Sequence, residues 1–253
     1  MRKVLMGIVV GVLALVGASI AFGATVQTIT ASVKTGSGKP KAGKPGTTTI
    51  NISAKDTAKQ PSQQPDPARK IDFRLPKGLD LDLKGAGKCS ATDLDFQNKG
   101  DAACPKSTQV ATGSAVVNTG LNPPVTRINA TVKGYNGGTK LILYVVPQGA
   151  QPIVIRSSIT GKPKTGQHIV ANVTPNCIPP GKPTDNPPCQ GREAPIETFI
   201  LTTLNKHKGS GSKRHDVLTT PPTCPKKGWT FGVHVTFAHI PAQDVTTQVA
   251  CRS

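Results

Sequence analysis

The sequence predicts an all-β fold: a disulfide-stapled two-sheet sandwich of about ten strands with long loops and at most one short helix. Three observations carry this. Short runs rich in Val, Ile, Thr and Phe recur along the chain, punctuated by turn formers that include 26 Gly and 23 Pro among 253 residues. No stretch sustains the helical period. Six cysteines, an even number in a chain that opens on an export-type segment, fit a set of staples.

That opening segment comes first. Arg2 and Lys3 precede an apolar run from Val4 to Phe22 that is followed by small residues, the pattern of an export signal. About 18 apolar residues also suffice to span a bilayer. Residues 1–23 are therefore read either as a cleaved signal peptide or as an uncleaved N-terminal anchor, with 24–253 as a single exported β domain in both cases.

Strands are expected at 26–33 and 47–54, joined by KTGSGKPKAGKPG (34–46), a flexible basic loop whose prolines exclude it from a strand. The run at 70–76 follows the connection PSQQPDP. LDLDLK (79–84) alternates, which turns Asp80 and Asp82 toward water. Within the interval from Cys89 to Cys104, Ser90 stands three residues before Asp93 as N-cap of a short helix. Strands follow at 108–117, 125–133, 139–146, 152–159, 167–174, 196–204, 229–239 and 244–251. Asn136-Gly137-Gly138 accepts the positive φ of a tight turn and joins two of them as a hairpin. LILYVV (141–146) is apolar on both faces, so it reads as a central strand between two layers. Counting by two from Trp229 places Phe231, Val233, Val235 and Phe237 on its face and His234 on the wetter one.

Each neighbouring pair of cysteines brackets a local element, which favours Cys89–Cys104, Cys177–Cys189 and Cys224–Cys251. Closing a loop of about 15 residues stabilises by about 3 kcal/mol in the chain-entropy treatment. Zinc is the rival reading, but no C-x-x-C occurs and no histidine is spaced as a partner. No metal or other cofactor is expected.

Lys and Arg number 31 against 13 Asp and Glu, a net charge of +18, which favours adhesion to anionic surfaces. Export and an aromatic content of 4% argue against a dedicated nucleic-acid site. Two basic loops are the candidate contacts: NKHKGSGSKRHD (205–216), with Lys206, Lys208, Lys213 and Arg214, and GKPKAGKP (38–45), with Lys39, Lys41 and Lys44. The Pro-rich PNCIPPGKPTDNPPC (175–189) reads as a constrained excursion. Catalytic signals are scarce. Glu193 and Glu197 are the only glutamates, the pairs Asp80/Asp82 and Asp93/Asp95 lack the rest of an EF-hand, and GSGSK (209–213) is no nucleophile elbow. His168, His207 and His215 have no carboxylate partner in a local motif. Asn51, Asn129 and Asn172 match the glycosylation acceptor pattern inside expected strands.

The order LPKGLDLDLKGAGKCSATDLDFQNKGDAACPKSTQVATGSA, TKLILYVV, LTTPPTCPKKGWTFGVHVTF and VACRS resembles a group of exported actinobacterial proteins without an established function. They share an LPKGL segment, a C…CP pair before a V-G-x-G-like strand, and a TPP-x-CP…GW…C ending. The likeness runs over about residues 25–253. It departs at QVATGSA, where Ala111 and Thr112 replace the usual pattern, and in the Cys177–Cys189 loop. The resemblance implies bacterial export and a disulfide-stapled β-sandwich, and no activity. The functional expectation is a non-enzymatic protein, secreted or associated with the cell envelope, that contacts anionic envelope polymers or lipid headgroups. A structural subunit of a surface assembly, and a hydrolase whose site is assembled from distant residues, are the alternatives.

Overall fold

A computed structural model describes residues 25–56, 64–119, 127–149, 151–173 and 193–253. The apolar segment read as an export signal, the expected Cys177–Cys189 pairing and the whole Pro-rich stretch 175–189 lie outside the described residues.

Every expected strand forms. They are β1 (Thr25–Lys34), β2 (Thr47–Asp56), β3 (Ala68–Arg74), β4 (Gln109–Asn118), β5 (Arg127–Asn136), β6 (Lys140–Pro147), β7 (Ile153–Lys162), β8 (Gly166–Asn172), β9 (Ile196–Thr203), β10 (Trp229–Phe237) and β11 (Gln243–Val249). All eleven belong to one sheet, in the order β1-β2-β9-β4-β5-β6-β7-β8-β3-β10-β11, and every neighbouring pair is antiparallel. The two layers of the sandwich are thus halves of one continuous sheet that folds over until its edge strands, β1 and β11, lie side by side. The side-chain amide of Gln243 bridges that seam: it donates to the Thr25 carbonyl at 2.6 Å and accepts from the Gln27 amide at 3.1 Å.

Alternation sets the interior. Trp229, Phe231, Val233, Val235 and Phe237 are all buried and meet Ile29, Ile52, Phe73, Val110 and Phe199 from the other strands in one core. Burying side chains of this size stabilises by about 1.5–3 kcal/mol each. β6 is buried on both faces, as LILYVV demands, but its second cover is not a sheet. Leu141, Leu143 and Val145 enter the main core, whereas Ile142 and Tyr144 pack outward under the excursion closed by Cys89–Cys104. There Phe96, fully buried, stacks on Tyr144 with 4.9 Å between ring centroids.

Phe96 belongs to α1 (Asp93–Lys99), whose N-cap is Thr92 and not Ser90. The Asp95 amide donates to the Thr92 hydroxyl at 3.1 Å, and the Thr92 amide donates to the Asp95 carboxylate at 2.9 Å, a reciprocal capping box. Residues 89–91 cannot start the helix because they are held as a tie to the sheet. The Cys89 amide donates to the Asn136 carbonyl at 2.7 Å, and Arg156 reaches from β7 to the Ala91 carbonyl at 2.9 Å. Asp80 and Asp82 are not free surface carboxylates either. Asp80 sits in a two-residue strand pair with Leu218–Thr219, and Asp82 caps the 3-10 turn Leu83–Gly85.

Asn136, 4% exposed, ends β5 and does more than turn the chain. Its amide nitrogen lies 2.8, 3.1 and 3.0 Å from the carbonyls of Leu83, Ala86 and Gly87, and its carbonyl accepts from the Gly138 amide at 2.7 Å. Gly138 has φ +92°, which a side chain would resist.

Antiparallel order sorts the connections into two groups. At the stapled end lie the β1–β2 and β7–β8 loops, the β5–β6 turn, the excursion before β4, and the 204–228 connection with the C-terminus. Thr25, where β1 begins, lies at the other end.

Two outcomes follow for stability. Asn136→Ala takes the Asn136 amide from the Ala86 and Gly87 carbonyls and the acceptor from the Gly138 amide, while the Leu83 carbonyl keeps the Ala86 amide, so chemical denaturation should register a loss of about 2–3 kcal/mol. For Asp95, the hydrogen bonds from the Thr92 amide and hydroxyl, with Lys99, pull the carboxyl down to about 2. Its folded pKa lies below the unfolded value of about 4, so its contribution is complete above the unfolded pKa and disappears as pH falls through the folded one. Urea midpoints of wild type and Asp95→Asn should differ by a constant amount above about pH 5 and converge near pH 2; a gap that persists at pH 2 contradicts this.

Candidate anion-binding surface

The 205–216 loop folds as a small hairpin, His207–Lys208 against His215–Asp216, around the 3-10 turn Gly211–Lys213. It docks on the turn Leu83–Gly85, where a side chain at Gly85 would fall 2.5 Å from the Val217 amide nitrogen. The four candidate cations do not behave alike. Lys206 is half-buried, donates to the Lys106 carbonyl at 2.8 Å, and is pushed below the ordinary lysine range by desolvation. Arg214 forks onto Asp216 at 2.7 and 3.0 Å, a hydrogen-bonded pair that raises its pKa. Lys208 and Lys213 are exposed and make no ion pair among the described residues.

The other basic loop was expected to be flexible, and it is tied down along its length. The Ala42 amide donates to the Arg252 carbonyl and the Arg252 amide to the Pro40 carbonyl, both at 2.9 Å; the Gly43 amide donates to the Pro221 carbonyl at 2.8 Å and the Gly46 amide to the Leu218 carbonyl at 3.1 Å. Thr220, 1% exposed, is the fastener. Its hydroxyl oxygen lies 2.8 and 3.0 Å from the carbonyls of Lys41 and Lys44 and accepts from the Lys44 amide at 2.9 Å. The reason is accounting: a long irregular segment must place its backbone polar groups somewhere, and here they are met by 218–222 and the C-terminus, which Cys224–Cys251 holds in reach.

Neighbouring loops join the same surface. The Gly78 amide donates to the Pro163 carbonyl at 2.6 Å, and Gly78, with φ +87°, lies against Pro221 and Pro222. The exposed cations Lys44, Lys162 and Lys164 stand on these loops beside Lys39 and Lys41.

The acids are distributed differently. Apart from Asp80, every Asp or Glu whose side chain is described contacts a cation or a histidine. Arg69 meets Glu193, Arg127 meets Glu197, Arg156 meets Asp93, Lys99 meets Asp95, and Lys133 meets Asp101. Asp80 is pushed up by desolvation and by neighbouring Asp82.

Sequence reading missed the histidine partners. Nδ1 of His168, His215, His234 and His239 lies 3.0, 2.8, 3.0 and 2.6 Å from Asp72, Asp82, Asp244 and Asp66. Only His234 and Asp244 could have been found beforehand, because hairpin register sets them directly opposite; the others join distant strands and loops. On the outer face of β8-β3-β10-β11 two pairs link through Arg74, which reaches Asp244 at 2.8 Å, passing Gly232, the residue opposite it in β10. These pairs orient imidazoles. Among the described residues, however, no hydroxyl or thiol hydrogen-bonds to any of the rings, and no group of three or more His, Cys, Asp or Glu could hold a metal ion.

At the opposite end, a cavity between the layers that opens to solvent is lined by Val117, Val145, Ile155 and Phe199. The Arg69–Glu193 pair, forked at 2.5 and 2.6 Å, stands at its edge.

Fold and surface together define a disulfide-braced all-β protein with matched acids and a cationic stapled end. No protein-family model matches the chain, and neither does any curated protein or solved structure.

Thr220→Val keeps the volume but removes the fastener. We expect a stability loss of about 1–3 kcal/mol together with faster amide exchange at Lys44, whose donor loses its acceptor; unchanged exchange there would show that the loop is held by its other bonds.

Proposed function

We propose that the protein is an exported, non-enzymatic component of the cell envelope or extracellular medium that adheres to anionic polymers by electrostatics. The observation that carries this reading is the division of charge. Every acid whose side chain is described, Asp80 excepted, contacts a cation or a histidine, whereas exposed lysines on the loops of the stapled end form no ion pair among the described residues, in a chain of net charge +18. Such cations bind polyanions by releasing condensed counterions. The two described disulfides fit an oxidising compartment, and the resemblance to exported actinobacterial proteins points the same way. The hydrolase reading draws on the His–Asp pairs but finds no nucleophile beside them among the described residues. A subunit of a surface assembly would be favoured by an apolar patch, whereas Val26 and Leu94 are the only large apolar side chains exposed among the described residues, and they are isolated.

The test is retention of the oxidised protein, as recovered from exporting cells, on envelopes of the same cells. Raising salt from about 50 to about 200 mM should lower the apparent affinity by roughly tenfold or more. Retention indifferent to salt would remove electrostatics as the mechanism.

A further inference from the structure

The adhesive reading leaves open where contact occurs and with what. Resting on that reading, we infer that the contact surface is the platform at the stapled end carrying Lys39, Lys41, Lys77, Lys226, Lys227 and Arg252, and that its ligand is a linear phosphate polymer without bases.

Sequence scatters these residues over four segments, and tertiary contacts gather them. Lys41 and Arg252 face each other in a parallel bridge. Lys39 precedes Pro40, whose carbonyl receives the Arg252 amide. Lys226 and Lys227 follow Cys224, which is bonded to Cys251, the residue before Arg252. Lys77 precedes Gly78, where an added Cβ would fall 2.8 Å from Pro222 Cδ and 3.2 Å from Pro221 Cβ. All six side chains belong to exposed residues, and none forms an ion pair among the described residues. The segments 34–47, 75–79, 162–166, 218–228 and 249–253 contain no Asp or Glu; half-buried Asp80, paired with Thr219 in the adjoining strand pair, borders them. The 205–216 loop differs in both respects, since it carries Asp216 and engages Lys206 and Arg214 internally.

Rigidity adds to the case. Backbone hydrogen bonds, a disulfide and the prolines hold the platform in place before any ligand arrives, so less conformational freedom is lost on binding.

The surroundings select the ligand class. A bilayer would be gripped by apolar side chains inserted beside the charges, but the exposed large apolar residues, Val26 and Leu94, lie on β1 near the opposite end and on α1. Single-stranded nucleic acid would be read by stacking on exposed aromatics, yet every described Phe, Tyr and Trp is buried. Five of the six cations are lysines, compact point charges suited to successive single phosphates, where forked guanidinium recognition is not required.

The experiment compares two variants that each lose four positive charges: Lys39→Gln, Lys41→Gln, Lys226→Gln and Lys227→Gln on the platform, and Lys206→Gln, Lys208→Gln, Lys213→Gln and Arg214→Gln on the hairpin. Both are first checked for native thermal unfolding. Affinity is measured for long-chain inorganic polyphosphate, for phosphatidylglycerol vesicles and for mixed-sequence single-stranded DNA, at several salt concentrations. We expect the platform variant to lose at least about tenfold in polyphosphate affinity with a shallower salt slope, the hairpin variant to lose less than about threefold, and polyphosphate to bind tighter than vesicles or DNA. Equal losses in the two variants would discard the platform while keeping the adhesive reading. Tighter binding to vesicles or DNA would discard the ligand class. Wild-type protein that binds none of the three probes would discard the adhesive reading itself.

Discussion

Backbone hydrogen bonding in a sheet is satisfied strand by strand, and an open eleven-stranded sheet leaves two edges unmatched. In this protein the sheet folds over until those edges meet, and the Gln243 amide supplies at one end of the seam the donor and acceptor that a neighbouring strand would have offered. At the other end the Lys41–Arg252 bridge carries the same closure outward into the loops. Folding over buries the alternating faces of β10, β4 and β9 against one another, and it leaves every connection at one of two ends. The staples, the docked loops and the cationic platform all depend on that arrangement.

Electrostatics then follows from topology. A chain with more than twice as many basic as acidic residues could spread its surplus evenly. Instead its described carboxylates, Asp80 excepted, each sit beside an arginine, lysine or histidine, some across strands, as Asp72 and Asp244 do, and some locally, as Asp95 and Asp216 do. Exposed pairs of this kind contribute little stability individually. Their consequence is one of distribution, because Lys39, Lys41, Lys77, Lys226, Lys227 and Arg252 at the stapled end are exposed and form no ion pair among the described residues.

The histidines are oriented by the same geometry. A His–Asp contact near 3 Å is one half of a catalytic relay, and this molecule has several. Among the described residues no hydroxyl or thiol hydrogen-bonds to these rings, and the chain linking His168, Asp72, Arg74, Asp244 and His234 has the form of a cross-strand network on a solvated sheet face.

Period-two alternation and turn chemistry are local properties, which is why all eleven strands, the Asn136-Gly137-Gly138 turn and the inward face of Trp229 to Phe237 could be read directly from the sequence. Cys89–Cys104 and Cys224–Cys251 were legible for a similar reason, since each brackets a nearby element. Nothing local indicated that the outer face of β6 is covered by Phe96, that the helix begins at Thr92 once residues 89–91 are tied to Asn136, that His168 finds Asp72, or that Thr220 fastens Lys41 and Lys44. Each of these depends on contacts between residues far apart in the chain. The sequence by itself determined the strands, their buried faces and the charge surplus, because these are set by side-chain identity and nearest neighbours. Only tertiary structure decided which cations remain uncompensated and where they gather, because pairing of charges and docking of loops are settled by distances in space, and those exist only after the sheet has folded over.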